Sequence, residues 1–282
     1  PSFISLYVDG TYLLPMDDSQ EISGQWGVNE ENELCIHFES EWFCPGTWEI
    51  IGYVLTLQQI YNTYCFESYF ELAQGCMDEL AANYDDFASA DDGSCLYDYT
   101  LELHSGANLV SFWALPEDAS VPSVMLPLGD DVTGLIAEGG ACSQIASGTW
   151  VGSQCNLLPE NGYWIIVTTD AVLSVFDAVP TDSGITYNLN SGANLISFPS
   201  DGSIGVSEGL PDDIEDFVVG VITEGGACSQ IEPGTWVGSH CSFHGTHGYW
   251  MITTADIDFS YDLTNLTLGR TKIASAPHKL SG

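Results

Sequence analysis

One stretch of the chain occurs twice. Residues 138–153 read EGGACSQIASGTWVGS, and residues 224–239 read EGGACSQIEPGTWVGS, an offset of 86. The offset holds without a gap from SGANL at residues 105–109 to GYW at residues 162–164. Because self-similarity at a fixed period indicates a structural unit used more than once, we expect two tandem modules. We name them module A (residues 99–184) and module B (residues 185–264).

Both modules have the apolar and β-branched segments that are typical of strands. In module A the apolar residues of 120–128 have helical spacing over about two turns, and residues 212–219 take that place in module B. Cys142 and Cys155 flank the turn at residues 146–148, near enough to bond across a hairpin, and Cys228 and Cys241 repeat them. The predicted fold of each module is β-sandwich-like with short helices.

Residues 1–74 precede the modules and alternate like a β-meander, with a hairpin turn at Asp9-Gly10. The segments DGTY, SGQW, ELCIHF and GTWEI resemble small lipocalin-like meanders of secreted bacterial proteins over about 50 residues. Cys35, Cys44 and Cys65 lie here; one pair can form, and the sequence leaves open which. The predicted fold class is therefore mainly β and multidomain, ending in a tail at residues 265–282.

Charge limits the partners of this chain. It has 40 acidic and three basic residues, a net charge of −37, and the basic ones are Arg270, Lys272 and Lys279. Binding to nucleic acid or an anionic membrane needs clustered Lys and Arg, so both are excluded. Residues 1–269 can form an ion pair only through a protonated histidine or the N-terminal amine. A saline or calcium-bearing exterior would reduce the self-repulsion of such a surface.

Nine cysteines, spaced as local pairs, predict an oxidising compartment and hence secretion or the cell surface. The odd number leaves at least one cysteine without a partner in the chain. No apolar run approaches the roughly 18 residues of a spanning helix. The chain begins at Pro1 without a signal segment, as expected of a processed product or a fragment.

Residues 75–98 form a separate acidic segment between two cysteines. The pattern GCxDxxAxNYDxxAxxDDGSC closely resembles a loop of secreted proteins from marine and gliding bacteria. A Cys76–Cys95 bond would close it and stabilise it by about 3 kcal/mol. Oxygen ligands suit Ca²⁺, and Asp78, Asn83, Asp85, Asp91 and Asp92 could supply them. Alternatively, these side chains only cap backbone amides of a disulfide-held turn.

The module frame SGANL(V/I)SF … GTWVGS … GYW resembles a module of bacterial and archaeal surface proteins over about 150 residues, with Ala107 and Ala193 in place of its usual Trp. That resemblance implies an exported, multidomain protein. The tail run APHKLS resembles the linker before the sorting domain of type IX secretion substrates; a plain interdomain linker is the equal alternative.

Few groups of residues in the sequence could form a metal-binding or catalytic site. His240, His244 and His247 lie beside Cys241 and could hold Zn²⁺ or Cu²⁺, although a polar loop is the plainer interpretation. Residues 205–209 fit G-x-S-x-G without the strand–helix context of a nucleophile elbow. No HExxH, phosphate loop or dinucleotide fingerprint occurs. Trp113 has no counterpart in module B, where Pro199 stands, and is predicted to be an exposed aromatic.

These features predict a secreted, non-catalytic structural or adhesive protein, a self-associating subunit of a filament or coat. The alternative is a carbohydrate-binding or accessory region of an exported hydrolase, with surface glycans as partners. An intrinsic enzyme is the third hypothesis. Apart from Ca²⁺, no cofactor is expected.

Overall fold

The computed structural model describes residues 73–269 in full and, before them, only the backbone of eight strands. It divides the chain into two units, residues 1–95 and residues 96–282. Both units consist mainly of strands, which confirms the predicted β class. The predicted tail at residues 265–282 lies mostly outside the described residues.

The described strands of the first unit pair in chain order. β1 to β5 form one antiparallel sheet and β6 to β8 another. The side chains of Cys35, Cys44 and Cys65 lie outside the described residues, so their pairing stays a prediction. The strands are β1 (Ser5–Leu6), β2 (Thr11–Met16), β3 (Gln20–Val28), β4 (Leu34–Phe38), β5 (Glu41–Phe43), β6 (Trp48–Ile51), β7 (Val54–Tyr61) and β8 (Tyr64–Glu71).

The acidic segment closes the first unit. Its strands β9 (Gln74–Gly75) and β10 (Ala90–Asp91) pair in parallel, and a disulfide joins Cys76 to Cys95. Buried Cys76 is the centre of this segment, with Ala81 and Ala88 also buried. So small a core needs the covalent link.

Module A is built on a five-stranded sheet in the order β12-β17-β14-β15-β16, and a second sheet has the order β11-β18-β13. Disulfide Cys142–Cys155 joins β15 to the chain after β16. The elements are β11 (Tyr97–Leu103), β12 (Gly106–Ser111), β13 (Ala114–Leu115), α1 (Val121–Val124), a 3-10 helix (Leu126–Asp131), β14 (Val132–Ala137), β15 (Gly140–Ala146), β16 (Thr149–Gly152), β17 (Gly162–Val167) and β18 (Ala171–Pro180).

Module B repeats the five-stranded sheet in the order β20-β26-β22-β23-β24, with the disulfide Cys228–Cys241 at the matching place. Two further pairs, β19-β27 and β21-β25, complete it. The elements are β19 (Tyr187–Leu189), β20 (Gly192–Ile196), β21 (Ser203–Gly205), α2 (Val206–Gly209), α3 (Asp212–Glu215), β22 (Val218–Thr223), β23 (Gly226–Glu232), β24 (Thr235–Gly238), β25 (Ser242–His244), β26 (Tyr249–Thr253) and β27 (Ile257–Phe259).

The helices are shorter than the sequence predicts. In module A one turn of α-helix ends at Val124, and the 3-10 segment after it breaks at Gly129, where φ is 55°. In module B, Pro211 separates two helices of four residues each. In module A, Pro127 lacks the N–H that a continuing α-helix would need, so the chain goes on as a 3-10 segment. In module B, α3 ends at Glu215 because strand β22 begins at Val218.

The inner face of each five-stranded sheet forms the core of its module. Leu135 pairs with both Cys142 and Ile165, and all three side chains are fully buried. Val221, Cys228 and Met251 repeat this row in module B. The cysteine of each disulfide therefore lies in the core, and the hairpin it holds cannot separate from the sheet without exposing that row.

Trp113 is buried, so the prediction of an exposed aromatic is wrong. Its side chain is 6% exposed, and its ring lies 5.5 Å from that of Tyr97 and 4.9 Å from that of Tyr99. Trp113 immediately precedes β13, which pairs with β18 in the sheet that also contains β11, the strand of both tyrosines. A missing counterpart in the other module does not reveal burial, because the second sheets of the two modules differ.

Candidate functional site

The two modules meet along a seam, which we define as the contact of β12 and its flanks with β20 and its flanks. A glutamate from each module bonds to the edge strand of the other. Glu138 Oε2 accepts from the N–H of Leu195, and Glu224 Oε2 accepts from the N–H of Leu109, both at 2.8 Å. The residues of each bond are 86 positions from those of the other, so the two modules are related by an approximate two-fold axis.

Backbone pairing continues the seam on both sides. The N–H of Ser111 donates to the backbone carbonyl of Thr246 at 2.9 Å. Its counterpart, the N–H of Ser197, donates to the backbone carbonyl of Glu160 at 3.1 Å. Isolated antiparallel bridges join Val110 to His247 and Asn161 to Ile196. β12 and β20 are the edge strands of their sheets, and exposed edges invite pairing with other chains. The seam provides these edge strands with hydrogen-bond partners from within the same molecule.

Glycine in the repeated GYW sequence makes this close approach possible. A Cβ added to Gly162 would lie 2.7 Å from the carbonyl oxygen of Ile196, and one added to Gly248 would lie 2.6 Å from that of Val110. Both distances are shorter than real Cβ contacts. Neither glycine is predicted from the sequence to have this role, although both recur in the repeated GYW sequence.

The loops beside the seam owe their shape to the repeated SGAN sequence. Gly106 and Gly192 have φ values of 113° and 116°, which favour glycine. Buried Asn108 accepts from the N–H of His104 and donates to its carbonyl, both at 2.9 Å, and Asn194 binds Asn190 in the same way. His104 and Asn190 therefore occupy equivalent positions, each at the end of a strand and facing the seam.

The two ends of the seam carry different chemistry. At one end, His104 Nε2 contacts the second carboxylate oxygen of Glu224, and this is the sole ion pair among residues 73–269. That bond raises the pKa of His104, with smaller contributions from the Ser105 carbonyl and the charge of Asp170. At the other end Asn190 replaces the imidazole, and no described residue bonds to Oε1 of Glu138.

A cleft of about 450 Å³ opens at this second end. Two acidic residues, Glu138 and Glu160, line it. The phenol of Tyr187 is buried and bonds to Ser197, and burial raises the pKa of this tyrosine, so it is neutral at physiological pH. The remaining lining is mostly amide and aliphatic: Gly139, Asn161, Thr186, Asn188, Leu189, Asn190, Asn194, Leu195 and Ile196.

The predicted histidine cluster lies next to the first end of the seam. The rings of His244 and His247 are 5.5 Å apart, and His240 bonds to Ser239. Loss of solvation lowers the pKa of His247, as does the neighbouring His244, while Glu224 opposes this. Within residues 73–269 no three His, Cys, Asp or Glu side chains are placed to hold a metal ion. Cys241 is bonded to Cys228, and a Zn²⁺ or Cu²⁺ site here stays a prediction.

The predicted calcium ligands act as turn caps in the structure. Asn83 donates to the carbonyl of Ser94 at 2.7 Å. The four aspartates each use one carboxylate oxygen to accept the N–H two residues further on, at 2.9–3.0 Å: Asp78 from Leu80, Asp85 from Phe87, Asp91 from Gly93 and Asp92 from Ser94. The two bonds with Ser94 lower the pKa of Asp92. These contacts are the capping that the sequence offers as the alternative, and Ca²⁺ binding stays a prediction.

Each five-stranded sheet also presents an apolar outer face. In module A it consists of Ile136, Val151, Trp164 and Ile166, placed on one side of the sheet by strand register. Ile136 and Val151 are 44% and 48% exposed, and the other two are half-buried. The same residues recur in module B as Ile222, Val237, Trp250 and Ile252.

The G-x-S-x-G sequence gains no partners in the structure. Ser207 is exposed on the one-turn helix α2, and no described histidine or carboxylate bonds to its hydroxyl. None of the described helices is long and apolar enough to cross a membrane. Compared with known proteins, the chain matches no family, no curated protein and no solved structure, so the resemblances drawn from its motifs stay predictions.

Proposed function

We propose that this chain is a non-catalytic extracellular structural or adhesive protein that associates with copies of itself in a cell-surface filament or coat. The observation that carries the proposal is the apolar outer face, which is present twice with identical residues and is open to solvent in both modules. Contiguous exposed apolar surface on a soluble protein is typical of an interaction site.

The comparison of inner and outer faces supports an interaction role. In the core row, Leu135 is matched by Val221 and Ile165 by Met251, so two of its three buried residues differ between the modules. Cores tolerate such swaps when volume is kept. The outer face has not changed at any of its four positions, although solvent exposure would allow polar residues there.

The seam gives the two outer faces a fixed relationship. Reciprocal glutamate bonds and backbone pairing join the modules, so both faces belong to one compact unit. Two equal contact sites on one body raise the overall avidity when both are engaged together. Three disulfides favour an oxidising, extracellular environment, and salt would screen the repulsion between acidic copies.

The test replaces one residue of each outer face. Ile136→Ser and Ile222→Ser, singly and together, are compared with the wild type by light scattering and surface adsorption in high salt with Ca²⁺. We expect each single variant to weaken association and the double variant to abolish it. The matched control replaces Val172 and Phe176, which are 46% and 58% exposed on β18 and have no repeated counterpart. A wild type that stays monomeric and unadsorbed, or equal losses in the control, would refute the proposal.

A second candidate, a carbohydrate-binding or accessory region of an exported hydrolase, is favoured by the half-buried tryptophans of the outer face. Aromatic rings with a flat apolar surround suit stacking on sugars. Trp164→Ala with Trp250→Ala would then remove glycan binding, whereas Ile136→Ser would have little effect. A glycan array without hits, together with a gene that encodes no enzyme domain, would eliminate this candidate.

A further inference from the structure

We propose that the cleft at the second end of the seam binds a small organic cation, an ammonium or imidazolium group, through the carboxylates of Glu138 and Glu160. None of the residues that line this cleft belongs to the outer faces, so the proposal is independent of the function proposed above. The ligand is defined by its chemistry, a positively charged nitrogen that donates N–H bonds.

The first end of the seam already contains a bond between a carboxylate and an imidazole. There, Glu224 uses Oε2 for the N–H of Leu109 and Oε1 for the imidazole of His104. Glu138 uses Oε2 in the same way for Leu195, and its Oε1 faces no donor among the described residues. Because Asn190 replaces the histidine, the second end has the same acceptor and a cleft where the first end has an imidazole.

The charge of the cleft favours the same ligand class. Glu160 adds a second carboxylate at a position where module B has Thr246. Residues 1–269 contain no Lys or Arg, so the body of the protein has no strong base that could neutralise the pair. Charge-assisted hydrogen bonds are about twice as strong as neutral ones. A ligand that brings its own cation would therefore be bound in preference to a neutral molecule of the same shape.

The amides beside the carboxylates fit a ligand with additional polar groups. Asn161 and Asn188 line the cleft, and amide groups both donate and accept hydrogen bonds. A volume of about 450 Å³ lies within the range of small-molecule sites. An amino sugar or a short amine fits this description, and so does one basic side chain from Arg270, Lys272 or Lys279 of the same or another copy.

The experiment titrates the full chain with glucosamine and with neutral N-acetylglucosamine, and follows the side-chain amide signals of Asn161 and Asn188 by NMR. We expect glucosamine to shift these signals at concentrations where N-acetylglucosamine does not. Asn190→His places an imidazole opposite Glu138 and should weaken glucosamine binding at least tenfold. The equivalent loop already accepts histidine at position 104, so this variant should fold. Glu160→Gln should weaken binding about three- to tenfold.

The reciprocal variant tests the comparison between the two ends of the seam on which the proposal rests. His104→Asn removes the imidazole from Glu224 and should create a second, weaker site, seen as new shifts of the backbone amides of Leu109 and Thr246. Replacing Arg270, Lys272 and Lys279 by Gln separates the two sources of the cation. Tighter glucosamine binding in that variant identifies the tail as a competing occupant, and unchanged binding identifies a free amine as the ligand. Equal binding of the neutral sugar, or undiminished binding by Asn190→His, would overturn the proposal.

Discussion

Glu138 of module A accepts a hydrogen bond from the backbone N–H of Leu195 in module B, with 2.8 Å between Oε2 and N. The carboxylate here takes the place of a strand carbonyl at the edge of a sheet. Since an unpaired edge N–H would otherwise face water or another chain, this bond both joins the modules and protects the edge.

Removing that carboxylate should loosen the seam. We expect Glu138→Ala to lower the free energy of unfolding by about 1 kcal/mol, since the bond is charge-assisted but partly exposed to solvent. Glu138→Gln retains an acceptor and should lose less. Urea denaturation measures both, with Glu117→Ala as the control because it removes one exposed carboxylate away from the seam. If Glu117→Ala and Glu138→Ala have the same effect, the bond contributes no stability.

Gly162 and Gly248 permit a second test of the seam. Gly162→Ala places a Cβ 2.7 Å from the carbonyl of Ile196, and the strands must separate to accept it. We expect a loss of about 1–3 kcal/mol, the usual cost of overpacking. Gly184→Ala is the matched control, because its Cβ would meet only Asp182 Oδ1 at 3.5 Å. An unchanged thermal midpoint for Gly162→Ala would show that the close approach is not required.

Disulfide Cys142–Cys155 closes a loop with a sequence separation of 13 residues. In the chain-entropy model a loop of this length stabilises the folded state by about 3 kcal/mol. The double variant Cys142→Ala, Cys155→Ala should therefore lower the free energy of unfolding by about 2–4 kcal/mol in urea. The equivalent variant of Cys228 and Cys241 should lose a similar amount. A loss well below 1 kcal/mol in both would show that the sheet holds these hairpins without the bonds.

Much of the fold could be predicted from the repeat and the strand patterns, because both are local in the sequence. The seam could not, since Glu138 and Leu195 are 57 residues apart and lie in different segments of the repeat, and neither segment indicates which residue it contacts. A repeated turn sequence such as EGG is ordinarily interpreted as part of a hairpin. Its glutamate in fact bonds to the other module. The sequence signal for this contact was a charged residue that is preserved in both modules beside two turn glycines.

The outer face could not be predicted from the sequence for a related reason. Repeated tryptophans such as Trp164 and Trp250 suggest core packing, because buried positions are usually the ones that stay constant. Strand register places both residues opposite exposed isoleucines, Ile136 and Ile222, on the solvent side of their sheets. Alternation within a strand defines two faces but does not say which of them is buried when both are apolar.

The ion pair of His104 with Glu224 should make stability depend on pH. Its bond to Glu224 raises the pKa of His104 in the folded state, so its contribution is fully present below the ordinary histidine pKa of about 6.5. The contribution is lost as the pH rises through the higher folded pKa. His247 acts in the opposite direction: its lowered pKa favours the neutral form, whose contribution is present above about pH 6.5 and lost in acid.

Subtraction isolates the contribution of His104. His104→Asn, the residue found at the equivalent position 190, retains His247 and the general acid response of the carboxylates. We expect the difference in free energy of unfolding between the wild type and this variant to be largest below about pH 6.5 and to shrink toward pH 8. Urea denaturation at a series of pH values measures it, with His240→Asn as a control for the loss of one exposed imidazole. A difference that stays constant, or grows with pH, would mean that the imidazole is not charged against Glu224.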